Sequence, residues 1–151
     1  MSTKQRIDQD LKKAMLAGDK DKATLYRGLK SAILYAEVAK GLRDTGLPEP
    51  EVIAVLAKEA KQRQESADAF EKAGSDIRKN AELSEKEAIE QYLPKQMDEN
   101  ELIRIVDAVV AEKGPLTSQT MGTVISQIKT ETSGQADGAR IAALVKQRLN
   151  G

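Results

Sequence analysis

Pro94, within the stretch Tyr92-Leu93-Pro94-Lys95-Gln96, most constrains how this chain can fold. Proline has no backbone N–H to donate, and its ring pushes the preceding residue, here Leu93, out of helical geometry. Helical patterns occupy the sequence on both sides, so one helix must end near Tyr92 and another must begin beyond Pro94. Tyr92 and Leu93 are expected to pack against one side or both. The stretch reads as a hinge between two all-helical modules. These are an N-terminal antiparallel domain of about four helices over residues 1–93 and a C-terminal three-helix domain over residues 94–151.

Strands have little to form from. The chain of 151 residues has one Phe (Phe70), three Tyr and no Trp, and no run of β-branched or aromatic residues alternates with polar ones. That length allows one domain or two small ones, with a core of moderate size.

Apolar spacing and capping residues divide the chain into helices. The first is predicted over Thr3–Ala17, with Ile7, Leu11, Ala14 and Met15 on one stripe and Gly18 as the stop. Asp19 or Asp21 caps a second, which runs to about Lys40 through Leu25, Leu29, Ala32, Ile33 and Ala36. Joined by so short a turn, the two should pack antiparallel. After a loop from Leu42 to Pro48, a third helix starts near Pro50 and ends at Gly74. Its stripe is Ile53, Leu56, Ala60, Ala67 and Phe70.

Arg63 interrupts that stripe. Either its stem lies along the core with the charge at the edge, or its guanidinium is partly buried and held by a carboxylate such as Glu37 or Glu59. The opposite face carries acid–base pairs at i,i+4, each worth ~0.2–0.5 kcal/mol to the helix.

A fourth helix begins at Ser75 or at the capping box Ser84-Glu85-Lys86-Glu87 and ends at Tyr92. Beyond Pro94, a helix opens at Asp98 with Leu102, Ile105, Val106, Val109 and Val110 inward, and stops at Gly114-Pro115. Ser118 is expected to cap the next, with Met121, Val124, Ile125 and Ile128 inward. Gly134 to Gly138 form the last turn, and Asp137 caps a final helix bearing Ile141, Leu144, Val145 and Leu149.

The chemistry open to these residues is narrow. The 24 basic and 24 acidic residues cancel, with 17 of each up to Leu93 and 7 of each after it, which gives no support to nonspecific polyanion binding. There is no His and no Cys. The commonest general base near neutral pH is absent, as are thiolate nucleophiles and thiolate zinc sites. No nucleophile elbow, Ser-x-x-Lys motif or nucleotide-cradling glycine loop occurs. No catalytic residues, cofactor or metal are expected. The lack of cysteine fits a cytoplasmic protein, and no apolar run long enough to cross a membrane, nor a signal peptide, is expected.

The chain resembles the GatB/YqeY family in an ordered set of motifs. They are Leu25-Tyr26-Arg27-Gly28-Leu29-Lys30-Ser31-Ala32-Ile33, the run from Lys58 to Ser66, and Phe70-Glu71-Lys72-Ala73-Gly74. Tyr92 to Gln96, Met121-Gly122 and Gly134 to Gly138 complete the set. These proteins are similar to the tail domain of the B subunit of tRNA-dependent amidotransferase, a carbon–nitrogen ligase that uses glutamine as amido-N-donor. The resemblance implies a larger N-terminal helical domain and a three-helix C-terminal one. It also implies a link to transamidation of mischarged tRNA, in which the tail domain recognises tRNA and the active sites lie in other parts of the complex.

Partners implied are therefore tRNA or an aminoacyl-tRNA amidotransferase complex. Candidate RNA contacts are Lys95, Lys129, Gly134, Gly138, Arg140 and Lys146 in the C-terminal module, and Lys58, Lys61 and Arg63 in the N-terminal one. The chain departs from the family pattern at Ser133, Gln135, Thr123 and Ser75, where basic residues are expected. Phosphate contacts come chiefly from Lys and Arg, so tRNA binding is expected to be weak. Three readings follow: a weak tRNA-binding or enzyme-docking module, a protein–protein module that touches no RNA, and an amidotransferase in its own right.

Overall fold

The computed structural model describes residues 1–133 and 135–150. Seven α-helices account for about three quarters of them, with no strand among the described residues. They are α1 (Thr3–Ala17), α2 (Lys20–Ala39), α3 (Glu49–Lys72), α4 (Asp76–Glu90), α5 (Glu99–Lys113), α6 (Met121–Thr132) and α7 (Gly138–Asn150). The chain divides into two compact units, Met1–Leu93 and Pro94–Gly151.

In the first unit, a Ser2–Gln5 capping box starts α1, and Gly18 ends it in the left-handed conformation (φ 71°) that L-residues avoid. Asp19 then caps α2 by accepting the Lys22 N–H (3.1 Å). The two helices run antiparallel, since Lys4 meets Glu37 and Asp8 meets Lys30. α3 and α4 form a second antiparallel pair: Gln64 faces Lys86, and Glu71 faces Lys79. Ile7, Leu25, Tyr26, Leu29, Ile33, Val52, Leu56 and Ile89 are the centre of the core they share. Tyr92 is buried in this core and Leu93 packs against it.

Several expectations shift by a residue or a turn. Leu56, Ala60 and Ala67 are buried on α3 as expected, while Val52 is buried and Ile53 only partly so, because Val52 lies four residues before Leu56 and continues the Leu56–Ala60 row. Met15 is exposed, since the stripe of α1 ends its packing at Ala14. Ser118 does not cap α6. Thr120 stands at the N-cap without a side-chain cap bond, and the turn before it is closed by Thr117 and Thr120, each hydroxyl accepting the other's backbone N–H (3.2 and 2.9 Å).

The second unit closes a core of Leu102, Val106, Val109, Val124, Ile128, Ile141, Leu144 and Val145. Arg148 Nε donates to Asp107 (2.7 Å) and ties α7 to α5. The Met97 N–H donates to the Gln135 carbonyl (2.7 Å), which anchors the segment entering α5 to the turn before α7.

Candidate functional site

Within each unit, the candidate RNA-contacting residues differ in exposure and in pairing. In the second unit, Lys95, Lys129 and Lys146 are exposed and take part in no ion pair among the described residues. Arg140 is half-buried: its Nη1 donates to the Met97 carbonyl (3.3 Å) and its Nη2 lies 3.7 Å from Glu99. Asp137 caps α7 as expected from the sequence, accepting the Ala139 N–H (3.0 Å). The Lys129 side chain lies across Gly138, where an added Cβ would come within 3.0 Å of its Cε and 3.3 Å of its Nζ. Lys129 and the start of α7 are therefore the candidates brought together. Gly134 lies outside the described residues.

In the first unit, Lys58 and Lys61 point into solvent on α3. Arg63 is different. Its side chain is 21% exposed, its Nη1 donates to Glu59, and its Nε donates to Glu85 of α4 (3.3 Å). Of the two partners expected, Glu59 holds it and Glu37 does not. Two carboxylates already satisfy its charge, so it serves as a clasp between α3 and α4 more readily than as a phosphate contact.

Glu37 has its own role. It is 3% exposed, and its Oε2 accepts from Lys4 Nζ and from the Leu47 N–H, both at 2.9 Å. The Lys4 hydrogen bond, and then that of Leu47, hold the carboxyl below its ordinary value of 4.5, while burial opposes them. Gly46 precedes Leu47 with φ +83°, and an added Cβ would stand 3.4 Å from this same oxygen. The buried carboxylate thus organises the loop between α2 and α3.

Near the end of α4, the Tyr92 hydroxyl donates to Asp10, the Tyr26 ring meets that of Tyr92 edge-on (centroids 6.4 Å apart), and the Arg6 guanidinium sits 5.2 Å from the Tyr92 centroid. Burial, and then Asp10, push the Tyr92 hydroxyl above the ordinary tyrosine range, so it stays protonated. This cluster pins the residues before Pro94 to α1 and α2.

A feature the sequence reading missed lies on α2. Ser31, Leu34, Tyr35 and Val38 repeat at i, i+3, i+4 and i+7, the spacing of a helix-packing stripe. They lie on the side of α2 away from Leu29 and Ile33, with Leu34 45%, Tyr35 79% and Val38 56% exposed. Beside this stripe, between α1 and α2, is a cleft of about 570 Å³ lined by Lys4, Asp8, Leu11, Ile33 and Leu34 among others. Among the described residues no group of three carboxylates converges as a metal site would need. No helix among them is long and apolar enough to cross a membrane.

The fold and surface define a small all-helical protein that holds several of its charges, Arg63 and Arg140 among them, in internal pairs and whose α1–α2 hairpin exposes apolar side chains. The family model described as Yqey-like protein matches residues 4–149. The Altered inheritance of mitochondria protein 41, mitochondrial, of Eremothecium gossypii is 34% identical to this chain over 142 residues, covering 91% of this chain and 76% of that protein. The chain belongs to the YqeY-like family.

Proposed function

We propose that this protein is an accessory docking module related to the tail domain of the tRNA-dependent amidotransferase B subunit, acting through an enzyme complex rather than through an active site of its own. The exposed stripe on α2 supports this reading most strongly, because a contiguous apolar helix face on a small protein marks a site for another macromolecule. Arg63 and Arg140, which would have to grip phosphates, are engaged by Glu59, Glu85 and Glu99. We also read the two compact units as separate folding domains, one of four helices over residues 1–93 and one of three over residues 94–151. A cytoplasmic location fits the absence of cysteine.

Weak RNA contact is the second reading. Lys129 beside the start of α7 favours it, since a helix N-terminus with a lysine at hand suits one phosphate. One or two such contacts support affinity in the nonspecific range, ~10⁻⁴–10⁻⁶ M at physiological salt. Fluorescence anisotropy with uncharged tRNA across a salt series tests both readings. Binding no tighter than micromolar, with a shallow log–log salt slope of about −1 to −2 and reduced by Lys129→Glu with Arg140→Glu, is expected. Submicromolar binding that persists at high salt would overturn the docking reading.

A further inference from the structure

We infer that the groove between α1 and α2 is a docking site for an amphipathic helix of a partner protein that carries carboxylates beside its apolar stripe. This rests on the docking reading above and names the chemistry of the partner.

The groove runs along the hairpin. The 570 Å³ cleft shares Arg27 with a second cleft of about 470 Å³, lined by Ala14, Met15, Ala23 and Thr24 toward the Gly18 turn. Together they follow α1, whose 15 residues span ~22 Å at 1.5 Å per residue. That length is four helical turns. The walls are apolar at Leu11, Leu34 and Met15, and the surface continues outward over Tyr35 and Val38. An elongated groove bordered by an i, i+3, i+4, i+7 stripe is the shape that receives an amphipathic helix. A compact small molecule would fill only one of the two clefts.

The charges select the sign of the partner. Lys4 is bonded to Glu37, and Lys30 Nζ stands 2.7 Å from Asp8 Oδ1. Asp19 is engaged in capping α2. Arg27, at the point the two clefts share, has no hydrogen-bond or ion-pair partner among the described residues. Covering the groove with an apolar or basic helix would strip water from this guanidinium and give nothing back, whereas a carboxylate can pair with it bidentately. Arginine at the centre of an apolar patch is also a residue type that dominates binding energy at interfaces.

The test uses the full chain, methyl-labelled, and two synthetic helical peptides of 18 residues. Both carry Leu at i, i+3/i+4 and i+7; one has Glu on the flanking positions and the other Lys. The acidic peptide should shift the methyl resonances of Leu11, Met15 and Leu34 and leave those of Val106, Ile128 and Ile141 in place. Arg27→Glu should weaken it at least tenfold and favour the basic peptide. Leu34→Asp with Val38→Asp, both on the exposed face, should abolish binding while thermal stability is retained. Equal binding of the two peptides, shifts elsewhere, or no binding would overturn the assignment of the groove. So would the same resonances responding to dilution of the protein alone, which would make a second copy the occupant. These outcomes leave the docking reading standing; submicromolar tRNA binding would remove that reading whatever the peptides do.

Discussion

Replacing Glu37 should separate the two bonds its carboxylate makes. In Glu37→Ala, the buried Leu47 N–H loses its acceptor, which costs about 1–3 kcal/mol for an unsatisfied donor. The bond to Lys4 goes as well, but Lys4 is nearly half exposed, so this part is worth no more than ~1 kcal/mol. The total expected is ~1–4 kcal/mol. Glu37→Gln keeps an oxygen for the Leu47 N–H and loses only the charge, so it should cost ~0.5–1.5 kcal/mol. Urea unfolding followed by far-UV circular dichroism at neutral pH gives both values. The pH dependence gives an independent check. The folded carboxyl titrates below the ordinary 4.5. The stabilisation is therefore fully present above pH 4.5 and is lost as pH falls through the lowered folded value. The unfolding free energy of the native chain should drop in that acid window more steeply than that of Glu37→Gln. Equal destabilisation by Ala and Gln, or identical pH slopes, would refute the role given to the Leu47 bond and to the charge.

Two further predictions concern the arm of α3 and α4 and the segment after it. Arg63→Ala should cost ~1–3 kcal/mol by leaving Glu59 and Glu85 facing each other without their cation, whereas exposed Lys61→Ala should be neutral within ~0.5 kcal/mol; equal thermal melts would show that the clasp has no structural role. Limited trypsin digestion should cut after Lys95, which like Arg43 in the α2–α3 loop is exposed and non-helical, and the piece from Gln96 onward should keep its helical circular dichroism; first cleavage within α3 or α7, or loss of helix in that piece, would count against separate folding domains.

Local signals carried much of the helix map. Gly18, Asp19, Asp98, Gly114 and Asp137 mark helix ends because caps are decided by a residue and its neighbours within one turn. The errors arise where packing partners are distant in sequence. Ala36 packs against the core as expected, but Glu37 beside it is buried more fully, which its own position does not announce, because its partners are Lys4 on another helix and the backbone of Leu47. The Arg63 pair with Glu59 is legible at i,i+4, while its second carboxylate, Glu85, is 22 residues away. The α2 stripe escaped notice for another reason. Leu34 and Ile33 are adjacent, so the core-facing stripe absorbs the apolar signal, and only the observed burial separates the two faces.

The bookkeeping of charge explains why the exposed apolar face matters for function. A neutral chain can still bind a polyanion if its cations are free and gathered on one side. Here seven of the 24 Lys and Arg, namely Lys4, Lys30, Lys40, Arg63, Lys79, Arg140 and Arg148, each contact a carboxylate of the same chain, and the exposed candidates without an ion pair among the described residues are divided between the two units, Lys58 and Lys61 in one and Lys95, Lys129 and Lys146 in the other. Breaking these pairs to reach a phosphate would exchange one ion pair for another, with little net gain. Single exposed apolar residues would carry no weight either, since over half of any protein surface is apolar. What distinguishes Leu34, Tyr35 and Val38 is their spacing on one helix, which already buries a different stripe in its own core. Burying that second stripe gains transfer free energy of about 25 cal/mol per Å² without disturbing any internal pair. The free Arg27 next to it then supplies the discrimination that an apolar stripe cannot, because only an acidic partner leaves no uncompensated charge in the interface.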